Sequence, residues 1–408
     1  MDEQKLVPKL RFPGFTDPWE QRKLGEIYKR VNERNDGTLG RDKWISVAKM
    51  YFQDPEKVQS NNLDTRTYVM KKGDIAFEGH PNNEFKFGRF VLNDIGTGII
   101  SELFPIYRPI VKYDLEFWKY AIQLERIMAP IFSKSITSSG NSSNKLDQNH
   151  FLNQMISIPT IDEQKKIGLI LKTITNLITL HQRKLEHLKL KKKSLLQKLF
   201  PREGELYPEL RFPGFTDPWE QRKLGEMGST YSGMSGKTKE DFGHGEAVYI
   251  PYLNIFQNTL SNLSMTDKVE IDDTQNKVEY GDILFTTSSE TPEEVGLSSV
   301  WLGNQENLYL NSFCFGYRLK EIIDLYFLGY ALRSPYMRNQ MKILAQGISR
   351  YNISKNKVMD LQINIPCIKE QKYIGEIFLR IDSLITLHQR KLEHLQLLKK
   401  ALLQQLFV

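Results

Sequence analysis

An internal duplication constrains this chain more than any other feature of its sequence. Residues 10–26 and 210–226 carry the same 17 letters, LRFPGFTDPWEQRKLGE, at an offset of 200. Residues 178–188 and 385–395 share ITLHQRKLEHL at an offset of 207. Such repeats indicate an architecture assembled from copies of one unit. The 408 residues therefore predict two similar halves, each made of a short anchor, a variable region and a helix.

The two ends of each half are nearly identical, whereas the two middles differ. We interpret the ends as surfaces that meet the same partner or each other, and the middles as domains with different tasks. Recent duplication with drift is the alternative, but drift alone does not spare both ends while it changes both middles. The predicted segments are anchors at 1–26 and 208–226, variable domains at 27–160 and 227–367, a central helix with its linker at 161–207 and a C-terminal helix at 368–408.

Each repeat ends in a predicted long helix with one apolar stripe. The spacing of the stripe follows the 4-3-4 pattern of helices that pair along a seam, and Pro159 and Pro366 lie just upstream, where a helix has not yet begun. We expect the two helices to pair antiparallel, as a coiled coil. The stripe residues are Ile167, Leu171, Ile174, Ile178, Leu185, Leu188, Leu195 and Leu199, answered by Ile374, Phe378, Ile381, Ile385, Leu392, Leu395, Leu402 and Leu406.

Polar residues in these helices leave alternatives open. His181 and His388 lie on the stripe, where a polar pair that sets the register is favoured over a metal site or a pH switch. The lysine run at 189–193 is interpreted as a solvated helix face, with contact to phosphate as the alternative.

The variable regions mix short strands, turn-rich loops and helices, which is typical of compact α+β domains. Helices are predicted at 114–132 and 323–345. The predicted strands are Trp44–Val47, Asp74–Phe77 and Leu103–Tyr107 in the first region, and Val248–Leu253, Asp282–Phe285 and Phe313–Tyr317 in the second. The fold class is thus α+β: two domains separated by two long antiparallel helices, with an internal pseudo-twofold repeat.

Charge favours an acidic partner but is unevenly distributed. The net charge is +7 and the pI is about 9.0, a balance compatible with nucleic-acid binding. Region 27–160 holds 18 basic and 15 acidic residues, whereas region 227–367 holds 12 and 16. If the second region binds DNA, it needs a focused patch, and much of the attraction to phosphate must come from elsewhere.

Polar loops of both regions supply the candidate DNA contacts, because Arg and Lys match guanine edges while Asn and Gln match adenine. Ordinary surface turns are the alternative for any single residue. The first-region candidates are Arg41, Lys43, Lys49, His80, Asn82, Asn83, Lys86, Arg89, Ser139, Asn141, Asn144 and Lys145. The second-region candidates are Lys237, Tyr252, Asn254, Ser288, Ser289, Arg350, Tyr351 and Asn352.

The sequence lacks the motifs of the common catalytic sites. It contains no G-x-x-x-x-G-K-[ST] phosphate loop, no G-x-G-x-x-G fingerprint and no Asn/Asp-Pro-Pro-aromatic tetrapeptide. Cys314 and Cys367 lack the paired spacing of a zinc site. There is no secretion signal at the N-terminus and no apolar run long enough to span a bilayer. We therefore expect no catalytic residue, no metal, no bound cofactor and a cytoplasmic location.

The motifs LRFPGF…W…KLGE, IP…EQ…IG and GDI(A/L)F, each present in both halves, resemble those of the specificity subunits of type I restriction-modification systems. The similarity covers essentially the whole chain. It implies that each variable region is a target-recognition domain for one half of a split DNA site, 27–160 for the 5′ half and 227–367 for the 3′ half. It also implies that the helices act as spacer and that the repeats dock two modification subunits.

The chemistry would then belong to partner subunits. The resemblance implies two modification subunits that bind S-adenosylmethionine and methylate adenine, and two restriction subunits that use ATP and Mg²⁺. A rod of the length of 162–200, roughly 55–60 Å at about 1.5 Å per residue, could hold two domains on one duplex, whose major-groove half-sites repeat about every 34–36 Å. A structural adaptor with two protein-binding lobes and an enzyme with an unrecognised site remain as alternatives.

Overall fold

The structure is a computed structural model of the chain, and it describes residues 6–58, 66–139 and 143–408. The chain divides into two compact units. Unit 1 comprises Met1–Gln182 and Lys391–Val408, and unit 2 comprises Arg183–Arg390. Each unit thus contains one variable domain, the start of the helix that follows it and the end of the other long helix.

Unit 1 is built from short strands and helices with one long helix at the domain's end. Its strands are β1 (Glu20–Lys23), β2 (Tyr28–Val31), β3 (Ile45–Ser46), β4 (Tyr51–Phe52), β5 (Thr67–Met70), β6 (Ile75–Glu78), β7 (Arg89–Leu92), β8 (Gly98–Ser101), β9 (Ile106–Pro109), β10 (Ile136–Ser139), β11 (Asn144–Leu146) and β12 (Met155–Ile158). The helices that begin in it are α1 (Leu24–Ile27), α2 (Leu115–Ala121), α3 (Glu125–Ser133), α4 (Gln148–Leu152) and α5 (Ile161–Lys198), with 3₁₀ turns at Arg41–Lys43 and Pro55–Lys57.

Unit 2 repeats this order with a different central region. Its strands are β13 (Glu220–Lys223), β14 (Gly228–Ser232), β15 (Phe242–Ile250), β16 (Asp267–Val269), β17 (Ile283–Thr286), β18 (Ser288–Ser289), β19 (Ser298–Val300), β20 (Leu308–Leu310), β21 (Cys314–Leu319), β22 (Tyr351–Asn352) and β23 (Gln362–Ile365). The helices that begin in it are α6 (Leu224–Met227), α7 (Tyr252–Gln257), α8 (Leu325–Ala331), α9 (Pro335–Leu344), α10 (Lys355–Met359) and α11 (Ile368–Gln405), with a 3₁₀ turn at Lys239–Asp241.

The four-stranded sheet and the anchor pairing have equivalent topologies in the two units. The four-stranded sheet has the order β2-β9-β6-β7 in unit 1 and β14-β21-β17-β19 in unit 2, and all its pairs are antiparallel. The anchor strand pairs with the last strand of the variable region in both units, β1 with β12 and β13 with β23. The anchors are therefore part of each domain's sheet structure.

Two helices per domain replace the single helix predicted from the sequence. The segment 114–132 contains α2 and α3, and 323–345 contains α8 and α9. In unit 2 the break has a local cause: Pro335 is the first residue of α9 and Ser334 before it is extended, at ψ 155°, as a residue before proline prefers. In unit 1 Leu124 takes the equivalent extended position, at ψ 105°, although no glycine or proline marks it.

The repeated letters build a junction between each anchor and the first turn of the long helix behind its domain. Arg11 donates two hydrogen bonds to the Glu163 carboxylate at 2.8 and 2.9 Å, and Arg211 donates two to Glu370, both at 2.8 Å. Both carboxylates are buried, at 1% exposure. Planar, bidentate pairing of this kind fixes orientation as well as distance.

The glutamine beside each glutamate ties the helix to the domain. Gln164 Oε1 accepts a hydrogen bond from the Asp114 amide at 3.1 Å, and its Nε2 donates to the Pro159 carbonyl at 3.0 Å. Asp114 in turn caps α2 by accepting from the Phe117 amide at 2.9 Å. In unit 2, Gln371, Asp324, Pro366 and Phe327 make the same contacts.

The end of the other long helix completes the core of each unit. In unit 1 the Phe407 ring stacks on Phe117 at 5.2 Å between centroids and meets Trp19 edge-on at 6.2 Å. In unit 2 Phe200 makes the corresponding contacts with Phe327 and Trp219, at 5.8 and 6.2 Å. The repeated LLQ(K/Q)LF letters thus supply core residues to the domain of the other repeat.

The helix segments run antiparallel inside each unit. In unit 2 Lys192 of α5 contacts Asp382 of α11 at 2.6 Å. Phe200, just after the end of α5, lies 6.0 Å from Phe378, which precedes Asp382 in α11. In unit 1 the end of α11 packs in one core with the start of α5. All predicted stripe residues are buried or partly buried. Lys192, a member of the lysine run, therefore forms an ion pair with Asp382 and is not part of a solvated face.

No helix in the described ranges is long and apolar enough to cross a membrane.

Candidate nucleic-acid interface

The loops predicted to contact DNA in the first region converge in unit 1. Arg89 Nη2 donates to the Ala48 carbonyl at 2.8 Å, which joins the 80–89 loop to the 41–49 loop. The Asn144 amide donates to the Gly79 carbonyl at 2.8 Å, which brings the β10–β11 hairpin to the same edge. A Cβ at Gly79 would lie 2.2 Å from the Asn144 carbonyl oxygen, so only glycine permits this approach.

The predicted residues of unit 1 are mostly exposed on this edge. Asn82 stabilises its own loop by accepting hydrogen bonds from the amides of Glu84 and Phe85 at 2.9 and 3.0 Å, and Arg89 also pairs with Glu78 at 2.8 Å. Ser139 pairs through its backbone with Asn144, and Asn141 lies outside the described residues. The exposed candidates are Arg41, Lys43, Lys49, His80, Asn82, Asn83, Lys86 and Lys145, with Arg89 and Asn144 partly exposed.

Three of the segments that hold the second-region candidates also converge in unit 2. The short strand β18 pairs with β22, so that Ser288 faces Asn352 and Ser289 faces Tyr351. The Tyr252 hydroxyl donates to the Ser288 carbonyl at 2.7 Å. These contacts join the 251–257, 288–291 and 347–352 segments into one surface.

The turn that precedes β22 is the counterpart of the β10–β11 hairpin. Gln346 and Asn352 exchange two backbone hydrogen bonds, at 2.8 and 2.9 Å, and close a tight loop in which Arg350 lies over the Phe313 ring at 5.9 Å. In each unit this turn follows the second helix of the pair, precedes a one-turn helix and contacts the residues directly after a central sheet strand. The position is shared, whereas the letters SSGNSSNK and GISRYN are not.

Three predicted contact residues of unit 2 are buried. Asn254 is fully buried, and its amide donates to the carbonyls of Asn262 and Met265, both at 2.8 Å, so that it holds the turn after α7. Ser288 and Ser289 are 4% and 5% exposed. These side chains support the surface but contribute little exposed area to it, so Asn254 is not a DNA contact.

Lys237, the basic candidate near this surface, is largely neutralised. It pairs with Asp272 at 3.0 Å, and the hydrogen bond that it donates to the Asp272 carboxylate raises the pKa of Lys237 above its ordinary value. The pKa of Asp272 is lowered, first by its hydrogen bond with Thr274 and then by that with Lys237. Both groups therefore stay charged at neutral pH, and Lys237 contributes little net charge to the surface.

Sequence reasoning missed two apolar residues on this surface. Phe313 is 57% exposed and Ile348 is 96% exposed. Large apolar side chains at such positions are informative when they lie in an otherwise polar site. The signal in the sequence was an apolar letter inside a polar turn, in Asn311-Ser312-Phe313 and in Gly347-Ile348-Ser349.

Within the described residues, no group of three or more His, Cys, Asp or Glu side chains is placed to hold a metal ion.

Comparison with known proteins decides the family. A profile described as "type I restriction modification DNA specificity domain" matches the chain twice, over residues 16–190 and 216–397. The chain belongs to this family. The match confirms the predicted resemblance and, with it, the role in DNA sequence specificity within type I restriction-modification systems. Its two occurrences also confirm the predicted internal repeat.

Relatives and solved structures of this specificity-subunit family agree. The type I restriction enzyme MjaVIII specificity subunit of Methanocaldococcus jannaschii is 27% identical, with 98% of this chain and 93% of the relative covered, and the putative MjaX specificity subunit of the same organism is 23% identical, covering 98% and 95%. The S subunit from M. genitalium superposes with a TM-score of 0.56 at 14% identity, covering 98% and 99%. The predicted α+β fold with two long helices is thus confirmed.

Proposed function

We propose that this chain is the DNA-reading subunit of a type I restriction-modification complex and has no catalytic site of its own. One observation carries the proposal. In each unit, candidate DNA-contact segments of unlike sequence meet at a turn in the equivalent position. By contrast, the residues repeated in both halves form the same junction between anchor and helix in each unit. A shared frame with two unlike contact surfaces is what the recognition of a split DNA site requires.

Unit 1 would bind the 5′ half-site through the edge formed by the 41–49 and 80–89 segments with the strands β10 and β11. Its exposed Lys, Arg and Asn side chains suit phosphate contact and the recognition of base edges. Unit 2 would bind the 3′ half-site through the surface formed by Tyr252, β22 and Arg350, which the buried strand β18 supports. The long helices would set the distance between the half-sites.

The duplicated junctions would dock two modification subunits in equivalent ways. Repeated surfaces on one chain allow two identical partners to bind with the same contacts. The modification subunits would bind S-adenosylmethionine and methylate adenine, and two restriction subunits would use ATP and Mg²⁺. No cofactor is assigned to this chain, since the chemistry would lie with those partners.

Methylome sequencing of cells that carry the complete system tests the proposal. We expect one bipartite motif with methylated adenines on both strands, and no methyl transfer, ATPase or nuclease activity from the purified chain alone. Exchanging residues 27–160 for the corresponding domain of another family member should change one half-site and leave the other unchanged. A complex that assembles but methylates no defined motif would contradict the DNA-reading role.

The spacer role has its own test. Inserting four residues after Gln182 lengthens α5 by about 6 Å. We expect this insertion to change the tolerated gap between half-sites or to prevent assembly. Substitution of four exposed residues near Gln182, without a change in length, is the control. Normal assembly with an unchanged gap in the insertion variant would contradict the spacer role.

A further inference from the structure

A small cavity with aromatic walls opens in unit 2 beside the candidate DNA surface. Its volume is about 310 Å³, at the small end of the roughly 300–1,000 Å³ typical of ligand pockets. Phe242 and Tyr249 meet edge-to-face at 5.1 Å on one side, and Tyr252 and Phe313 also line the cavity. Hydroxyl groups of exposed Ser235 and Ser312 border it. Aromatic walls with a few hydrogen-bonding groups at the rim suit one planar heteroaromatic ring.

The wall formed by Phe313 is held in place from behind. The Phe313 amide donates to Asn311 Oδ1 at 2.9 Å, and its carbonyl accepts from the Thr287 amide at 3.0 Å and the Thr287 hydroxyl at 2.8 Å. Asn311 is itself anchored, since its Nδ2 donates to the Ile250 carbonyl at 2.9 Å. An exposed ring on a fixed backbone is a preorganised stacking platform, because little freedom remains to be lost on binding.

The cavity is continuous with the surface assigned to DNA. Tyr252 reaches from the cavity wall to the Ser288 carbonyl at 2.7 Å, and Arg350 lies over the Phe313 ring. The tight turn that carries Arg350 also carries Ile348, which is 96% exposed. Proteins that unstack a duplex insert apolar wedges of this kind between base pairs.

The charge of the domain gives a reason for such a site. The variable region of unit 2 holds 12 basic and 16 acidic residues, and Lys237 at the rim of the cavity is paired with Asp272 at 3.0 Å. Attraction to phosphate, the usual source of affinity for DNA, is therefore weak here. Stacking of a base on aromatic side chains does not depend on net charge.

We propose that one base of the 3′ half-site leaves the duplex stack and enters this cavity, between the rings of Phe313 and its aromatic neighbours, while Ile348 fills the space it vacates. This inference rests on the proposed function. The extruded base is a recognition base, distinct from the adenine that a modification subunit methylates. Unstacking costs least at a flexible step or mispaired base, so the site adds selectivity for deformable sequence to the contacts at base edges.

Fluorescence of 2-aminopurine in the reconstituted specificity–modification complex tests the inference. The probe replaces, one at a time, each purine of both strands in the 3′ half-site, so that every base pair is examined. We expect a severalfold increase at one position other than the methylated adenine. Phe313→Ala and Ile348→Ala should each abolish that increase, and Phe313→Ala should weaken specific binding by about 5- to 150-fold, as expected for the loss of one base stack.

The control is Ile322→Ala. Ile322 is 93% exposed and follows the opposite end of β21 from Phe313, so the substitution matches Ile348→Ala in chemistry but not in place. Circular dichroism and thermal unfolding are used to check the fold of Phe313→Ala, which we expect to be kept because the side chain is exposed. The increase at the methylated adenine, which reports the partner's active site, should survive in all three variants.

Two results would overturn the inference, and they are distinguishable. If the complex binds and methylates its motif but no other position brightens, or if the increase persists in Phe313→Ala, the cavity does not receive a base although the DNA-reading role stands. If no defined motif is bound at all, the proposed function fails and the cavity proposal fails with it.

Discussion

The ion pair between Arg11 and Glu163 supports a prediction whose size follows from its geometry. Glu163 is 1% exposed and accepts two hydrogen bonds from Arg11, whose side chain is 12% exposed. Arg11 Nη1 is also buried and has no hydrogen-bond partner in the described structure. Replacing Glu163 by leucine would leave the whole guanidinium group buried and unpaired, and breaking a buried pair costs roughly 3–5 kcal/mol. We expect Glu163→Leu to lower the free energy of unfolding of unit 1 by about 3 kcal/mol.

The double variant Arg11→Met/Glu163→Leu should behave differently. Methionine and leucine can pack against each other without leaving a buried charge. Replacing a whole buried ion pair by apolar residues of similar volume is often neutral for the free energy of unfolding. We expect the double variant to lie within about 1 kcal/mol of the native chain, which makes the coupling between the two positions large. Hydrogen exchange of peptides from the anchor and the first turns of α5 measures this locally, since a chain with two units need not unfold in one step.

The duplication supplies a matched repetition of the cycle in unit 2. Arg211 and Glu370 have the same geometry, with both hydrogen bonds at 2.8 Å, so Glu370→Leu and Arg211→Met/Glu370→Leu should give the same pattern in peptides from unit 2. If Glu163→Leu and Glu370→Leu each cost less than about 1 kcal/mol, or if each double variant loses as much stability as its single variant, the buried-charge reasoning is wrong.

Three further predictions concern the core of each unit. Gly168→Ala should destabilise unit 1 by about 1–3 kcal/mol in thermal unfolding, because its Cβ would lie 2.5 Å from Asp114 Oδ1 and 2.8 Å from the Phe117 amide nitrogen; the exposed neighbour Leu169→Ala, which should change little, is the control. Thr175→Asp should stabilise unit 1 by about 1 kcal/mol, whereas the exposed Thr179→Asp should not, and a loss of stability in Thr175→Asp would contradict the reasoning. Lys399 lies over the Tyr120 ring, which hydrogen-bonds Thr175, and burial lowers the pKa of Lys399. A carboxylate at position 175 would raise that pKa, so the gain should be present at neutral pH, fade in alkali as the lysine deprotonates, and fade in acid as the new carboxylate is protonated. Burial raises the pKa of the Cys314 thiol to about 12, so a thiol reagent at pH 8 should titrate the exposed Cys367 alone in the native chain and both cysteines after denaturation; rapid reaction of two thiols in the native chain would refute this.

The long helices were predictable because their apolar residues recur with a helical period. The division into repeats was predictable because identical segments occur in both halves. The stripe from Ile167 to Leu199 predicts α5 to within a few residues of its observed bounds, Ile161–Lys198. The break between α8 and α9 was also legible in principle, in Ser334-Pro335. The break between α2 and α3 was not, because Leu124 takes its extended conformation from the tertiary structure and not from a local signal.

The candidate surface was only partly predictable from composition. Polar turns identified the right loops, but residue type does not separate a side chain that supports a loop from one that faces solvent. Asn254 illustrates the limit: an asparagine beside a tyrosine suggests a base contact, yet its amide is consumed by Asn262 and Met265. Phe313 illustrates the reverse, since an aromatic letter beside a strand suggests the core and its ring is exposed.

The repeats are identical in the two halves and the loops differ because substitutions have different structural costs in the two places. The junction residues, from Arg11 with Glu163 to Gly168 against Asp114, are packed so closely that substitution is costly in either unit, and this holds each domain on its helix at a fixed angle. The hairpin after the second domain helix contacts the rest of its unit through backbone hydrogen bonds, such as Asn144 to Gly79 in unit 1 and the pairing of β22 with β18 in unit 2. Backbone contacts are indifferent to side-chain identity, so the hairpin sequence can change completely while its position is kept. One fold can therefore combine junctions that tolerate little substitution with a contact surface that tolerates much. New DNA specificities can then arise without loss of the surfaces that the partner subunits would use.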